Sequence, residues 1–555
     1  MVNIRKTIPL HPLDPASCEE IEKATSLVKA LFPGVPLHFK AAGIHEPPKK
    51  ELSAYLKAEH ACTELPLVPR HIFAMWYIHR IPRLLEAVVD VSIGKVESYK
   101  EMPRDLHGPV NRSELSEAAE VIMADRSTTE VHSAVPHRRT NMSEPEYKHR
   151  LQKNPPRTTM KPYQVVQPEG ASFAVTGNLI EWEKFRFRVG MTIHDVHFMG
   201  RSSFYRLSLS DMFVPYGDPR NPIYRKGAFD LGNVGAGVRA NKLALGCDCL
   251  GVIKYLGGWC VSNDGSAVER PNAICIHEVD QGIQWKHTNH RTKNATVVRK
   301  RQLVLQQIIT VANYEYIFAW IFDQSGEITF ETRATGILST QPIDKDVKVP
   351  WGTRVGDGVM APYHQHLFNV RIDPAVGGDK STLVYSDSML LAQPGSWHWR
   401  RSEFAESSIA GNLGRPRPEF AEHPMWVTKY RDGQLFPAGD YTNQSIGGTG
   451  IKSWIDHPEA VIDEDIVIWH TFGFKHIPRV EDFPIIPAEI AQMHLKPYNF
   501  CNYNPTNDVP PSSQAFNCSV LYEDQQAIAA KKQTNGTNGT NGSCCEKEVT
   551  LNGRS

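Results

Sequence analysis

Tyr314 stands in Thr310-Val311-Ala312-Asn313-Tyr314-Glu315-Tyr316, an apolar and aromatic stretch. By pattern alone it is a buried strand tyrosine with its hydroxyl hydrogen-bonded. Other residues change that weighting. Downstream comes His364-Gln365-His366. Strand alternation puts both imidazoles on one face, as two ligands of one ion require. No Asp or Glu adjoins them, so imidazole dominates the set, which suits copper, zinc or iron better than calcium or magnesium. His277, His287, His470 and His476 all compete for third place, and spacing does not choose among them. Upstream lies Asp230, in Ala228-Phe229-Asp230-Leu231-Gly232. Alone it reads as a turn aspartate; as a general base it would need partial desolvation.

The elements that must position these residues are mostly strands. From about Val166, strands separated by Gly, Pro, Asn and Asp run for over three hundred residues, including Val297–Ala312, Ile317–Phe322, Leu367–Ile372 and Val461–Trp469. This predicts a mainly β fold with a large C-terminal β-sandwich over 166–510. Ahead of it, residues 14–33 predict a helix capped by Ser17 or Asp14, with Ile21, Ala24, Val28 and Leu31 at helical spacing. Residues 113–124 predict another. Two small α+β domains are therefore expected, at 1–60 and 61–165, the second ending in a proline-broken basic linker. Residues 511–555 read as an irregular tail, closing on a repeated Asn-Gly-Thr run.

Bulk properties narrow the functional classes. The 555 residues carry 61 basic and 61 acidic side chains, so no basic excess marks a nucleic-acid partner. No apolar run is long enough to span a bilayer. Without a signal-peptide core or a C-terminal peroxisomal address, the expected location is intracellular, cytoplasmic by default. The ten cysteines do not form a disulfide scaffold at this length, and Cys247-Asp248-Cys249 has no second pair at zinc spacing.

Three motifs together resemble the copper amine oxidases, whose cofactor is topaquinone. The cofactor tyrosine of that family sits in [ST]-x-x-N-Y-[DE]-[YN], matched by Thr310 to Tyr316. Its third copper ligand lies in T-x-[GS]-x-x-H-[apolar]-x-x-x-E-[DE]-x-P, matched by Thr471-Phe472-Gly473-Phe474-Lys475-His476 through Pro484. The H-x-H falls between them in the family's order. The resemblance covers roughly residues 160–505 strongly.

It implies a supersandwich catalytic domain and oxidative deamination of primary amines, with O2 as acceptor and aldehyde, ammonia and hydrogen peroxide as products. Tyr314 is then the precursor of topaquinone, through which substrate is held as a Schiff base. His364, His366 and His476 are the copper ligands. Asp230, 84 residues before Tyr314, is the proton acceptor. Tyr216 hydrogen-bonds a quinone oxygen and Asn313 limits ring rotation. Cys249 and Cys275 match a disulfide. Asp373 and Asp465 match part of a peripheral calcium or manganese site. A homodimer is implied, with no nucleic-acid or membrane partner.

The chain departs from the family pattern in places. The base motif D-x-G-E-Y is Asp230-Leu231-Gly232-Asn233-Val234, and the gate position before it is Ala228. The peripheral D-M-D is Asp373-Pro374-Ala375. The second small domain is shortened around 125–155. The interval from His366 to His476 is shortened near 376–420, where relatives carry a dimer-gripping arm. Two other readings follow. One is a copper-binding relative whose quinone does not mature. The other is a zinc hydrolase using the three histidines, although no H-E-x-x-H is present.

Overall fold

The computed structural model describes residues 10–79, 81–125, 155–190, 192–220, 226–228, 231–344, 347–384, 418–445 and 447–525. Asp230 lies outside them, as do most of the two stretches expected to be shortened and most of the tail. The chain divides into two compact units. The larger takes Met1–Glu278, Leu303–Phe322 and Gly326–Pro497. The smaller takes Val279–Gln302, Asp323–Ser325 and Tyr498–Ser555; inside it Lys300 pairs with Asp323 at 2.9 Å, and the Ser512 amide donates to the Val297 carbonyl at 2.7 Å.

Within the larger unit, the first helix is Cys18–Ala30. Ser17 caps it: its side chain accepts from the Glu20 amide, and Glu20 returns the bond to the Ser17 amide. Ile21, Ala24 and Val28 are buried as expected, whereas Leu31 falls past the last helical residue and is exposed. The helix packs on a four-stranded antiparallel sheet in the order Leu37–His45, His71–Ile78, Leu84–Asp90, Lys95–Glu101. The first of these strands comes from the expected 1–60 domain and the other three from the expected 61–165 domain. The expected boundary at residue 60 therefore runs through one sheet. The intervening helix, Lys49–His60, packs elsewhere: its buried Leu52 and Leu56 join Leu13, Tyr205 and Ala375.

Two larger antiparallel sheets form the sandwich, in agreement with the mainly β expectation. In one, Met425–Lys429, Ile466–His476, His364–Pro374, Arg201–Pro215 and Ile193–Phe198 lie side by side, followed by three short strands. The other runs Lys254–Val261, Ala267–Thr288, Ala295–Val311, Tyr314–Asp323, Ile328–Ile337, Ile485–Leu495. Aromatic rings join their inner faces. Phe187 stacks on Phe322 at 4.3 Å between centroids, and Phe318 meets Phe368 edge-on at 6.2 Å.

One facing pair of strands organises the site. Period-two alternation sends Tyr314, Tyr316 and Phe318 inward from one sheet. It sends His364, His366 and Phe368 inward from the other. The rings interdigitate: Tyr314 with His366 at 5.2 Å, Tyr316 with His366 at 5.7 Å, Tyr316 with Phe368 at 6.2 Å.

Candidate active site

Tyr314 is the first residue of its strand and not the middle of a longer one. Val311 ends the preceding strand, and Ala312 takes a left-handed φ of 53° to make the turn. Two contacts hold that turn. The Thr310 hydroxyl lies 2.8 and 2.9 Å from the Glu315 carboxylate oxygens, and the Asn241 side chain donates to Glu315 at 3.2 Å. Asn313 donates its side-chain amide to the Ile337 carbonyl, while its own carbonyl accepts from the Ile337 amide at 2.7 Å. Gly336 lies opposite Tyr314 in the strand register. A Cβ there would fall 2.6 Å from the Asn313 oxygen and 3.1 Å from the Tyr314 Cα, at a φ of +102°. Glycine is what lets the two backbones approach.

His364 and His366 open their strand, and His476 closes the neighbouring one, opposite His364 in register. Gly473 in the third-histidine motif has a job here: a Cβ would sit 1.9 Å from the His366 carbonyl oxygen. The three imidazoles are buried, and each offers a nitrogen within 4.8 Å of the others. His364 is oriented at both ends. Its Nδ1–H donates to the Pro362 carbonyl at 2.9 Å, which leaves Nε2 to accept from the Tyr314 hydroxyl at 2.9 Å. Tyr316 contacts His366 Nδ1 through its hydroxyl at 3.0 Å.

Two nitrogens stay unmatched: Nε2 of His366 and Nε2 of His476 are buried without a hydrogen-bond partner. Such orphaned groups cost about 1–3 kcal/mol each. Burial, and secondarily the neighbouring His476 imidazole, pushes His364 down to about 3. Burial and the other two imidazoles hold His366 well below its ordinary value. Both rings are therefore neutral lone-pair donors, as metal ligation requires. The all-imidazole set and its orphaned nitrogens fit copper. Asp482, fully buried, lies 3.5 Å from His476 Nε2. Its burial raises the carboxyl, but hydrogen bonds and charge from Arg479 outweigh that and leave it below the usual range.

Tyr216 stacks on His364 at 4.9 Å between ring centroids. Lys226 lies over the Tyr216 ring at 3.9 Å, and burial lowers its amine below the ordinary lysine value. Cys249 and Cys275 are joined in a disulfide, as the resemblance implied. Asp373 and Asp465 do converge, but on the Lys49 ammonium. Tyr316, Gly473 and Asp482 stood in the matched motifs without an assigned role, and sequence reasoning did not single out Lys226 or Lys49. Tyr316 was accessible to it, being two residues from Tyr314 on a strand.

The family model for the copper amine oxidase enzyme domain matches residues 174–410 and 410–516. Copper amine oxidase 1 of Aspergillus niger is 36% identical over 648 residues, spanning 90% of this chain and 97% of that protein. This chain belongs to the copper amine oxidase family. As an amine oxidase it also resembles the peroxisomal primary amine oxidase of Pichia angusta, at 35% identity over 74% of this chain and 70% of that protein. Among solved structures, a copper-containing benzylamine oxidase from Hansenula polymorpha superposes with a TM-score of 0.82 at 34% identity, covering 91% of this chain and all of that one.

Proposed function

We propose that this amine oxidase converts primary amines, O2 and water to aldehydes, ammonia and hydrogen peroxide, with copper held by His364, His366 and His476 and with Tyr314 matured to topaquinone. Copper would supply a redox-active centre for that maturation, and the quinone an electrophilic carbonyl and a two-electron sink. The observation that carries this reading is the 2.9 Å contact between the Tyr314 hydroxyl and a neutral imidazole of a buried three-histidine cluster.

The chain's own residues have separable parts in the reaction. Asp230 takes the proton from the carbon bearing the amine nitrogen. Tyr216, held by its stack on His364, orients the ring derived from Tyr314. Asn313, tied to Ile337 from both its side chain and its carbonyl, restricts that ring's swing. The closely packed aromatic rings around the site exclude water. Ala228, where relatives carry a gate-like aromatic, leaves room for amines bulkier than methylamine. We further propose a homodimer and an intracellular location; among the described residues, no helix is long and apolar enough to cross a membrane.

The test is to load the metal-free chain with Cu(II) in air and treat it with phenylhydrazine. The expected result is a coloured adduct on the peptide carrying Tyr314 and hydrogen peroxide on addition of benzylamine. Tyr314→Phe should lose both. Copper uptake without an adduct would sink the oxidase reading, and anaerobic hydrolysis with zinc would favour the hydrolase.

A further inference from the structure

The two carboxylates expected to share a peripheral divalent cation sit at the far ends of the strands that carry the three histidines. His364 and His366 begin the strand His364–Pro374, and Asp373 lies near its end. His476 ends the strand Ile466–His476, and Asp465 immediately precedes it. The two strands are antiparallel neighbours, so both carboxylates fall at the end remote from the imidazoles.

What lies between them is an ammonium group. Lys49 Nζ is 3.0 Å from Asp373 Oδ1 and 2.6 Å from Asp465 Oδ1, and its side chain is almost wholly buried. The Tyr430 and Tyr205 rings flank it at 4.3 and 4.7 Å. The second Asp373 oxygen accepts from Arg371 at 3.2 Å. Lys49 and Arg371 thus set two positive charges against Asp373 and Asp465 without any added ion.

A calcium or manganese ion does not fit this arrangement. It would have to share these carboxylates with the Lys49 and Arg371 cations, and calcium needs six to eight oxygen ligands. The position that would complete an Asp-x-Asp is Ala375, buried in the apolar cluster with Leu52 and Leu56. Those leucines belong to the same helix as Lys49, which is its first residue. The Lys49 amide also donates to Asp432 at 2.9 Å. Helix Lys49–His60 therefore delivers both the replacement charge and the apolar surface that fills the remaining space.

We propose that the Lys49 ammonium takes the place of the peripheral divalent cation, and that it pins helix Lys49–His60 to the far end of the histidine-bearing strand pair. The lock is internal, so it does not depend on extracellular or organellar calcium. It is also independent of whether the quinone forms.

The experiment uses the copper-loaded full chain. Dialysis against CaCl2 and MnCl2, followed by metal-free buffer and elemental analysis, should find copper but neither calcium nor manganese. One equivalent of either ion that Asp465→Asn releases would overturn the proposal. Lys49→Met leaves the buried Asp373 and the partly exposed Asp465 carboxylates against one arginine, so the Tm should fall by about 5 °C or more. Adding Asp465→Asn to Lys49→Met should return part of that loss, because one uncompensated charge is removed. A Lys49→Met protein that melts with the native one, or a loss that the double variant does not relieve, would overturn it. The elemental analysis needs no variant to fold.

Discussion

The strand pair His364–Pro374 and Ile466–His476 ends in two polar clusters built on opposite plans. At one end stand three imidazoles, with Nε2 of His366 buried without a hydrogen-bond partner and Nε2 of His476 facing only Asp482 at 3.5 Å. At the other end two carboxylates already hold the Lys49 ammonium, with Arg371 balancing the charge. The same backbone ladder therefore leaves donors unpaired at one end and pairs them at the other. A buried donor without a partner is costly, and it is kept where an incoming ion repays it. A carboxylate pair can instead be neutralised from within the chain, and then no ion is needed.

The largest way to break this contrast is Gly473→Ala. The added methyl would meet the His366 carbonyl oxygen, so the two histidine strands could not keep their register. The expected result is a protein destabilised by about 3 kcal/mol that holds substoichiometric copper, read from denaturant unfolding and elemental analysis. Native copper content in that variant would mean the strand pair can absorb a methyl group at Gly473.

A smaller effect is expected from Asp482→Asn, which keeps the shape but removes the charge beside His476. Copper affinity should drop by about 10–100-fold, measured by competition with a chelator. An unchanged affinity would confine Asp482 to holding Arg479.

A third effect is in pH. In the metal-free fold, His364 stays neutral down to about 3 and His366 is also held well below its ordinary value. In the unfolded chain both take a proton near the ordinary value of about 6.5. Between those limits the unfolded state binds more protons, so stability falls as the pH drops from 6.5 towards 3. Unfolding midpoints of the metal-free chain at pH 7 and pH 5 check the sign. A midpoint that rises on acidification would contradict neutral, buried imidazoles.

Much of the near end was legible in the sequence. Tyr314, His364, His366 and His476 sit in motifs whose fixed residues have visible jobs: Thr310 and Glu315 hold the turn, and Gly473 admits the His366 carbonyl. The far end was legible only in part. Asp373 and Asp465 could be picked out, but their partner lies 324 and 416 residues away on a different element, with no local pattern to announce it. The sheet of the small domain was not locally readable for a similar reason. The Leu37–His45 strand pairs with His71–Ile78 across the whole of helix Lys49–His60, and that pairing is a long-range fact. The Cys18–Ala30 helix, by contrast, was readable because its cap and apolar face are local. The second strand was expected to start only at Ile317, yet it starts at Tyr314, because Ala312 gives no sign, by residue type, of the tight left-handed turn it makes.

The most direct test of the account is a copper titration of the metal-free chain in air, followed by its visible spectrum. One copper per chain should saturate the site, and a quinone band should grow in step with it. Copper that saturates at one equivalent without any band would contradict the account at Tyr314 itself.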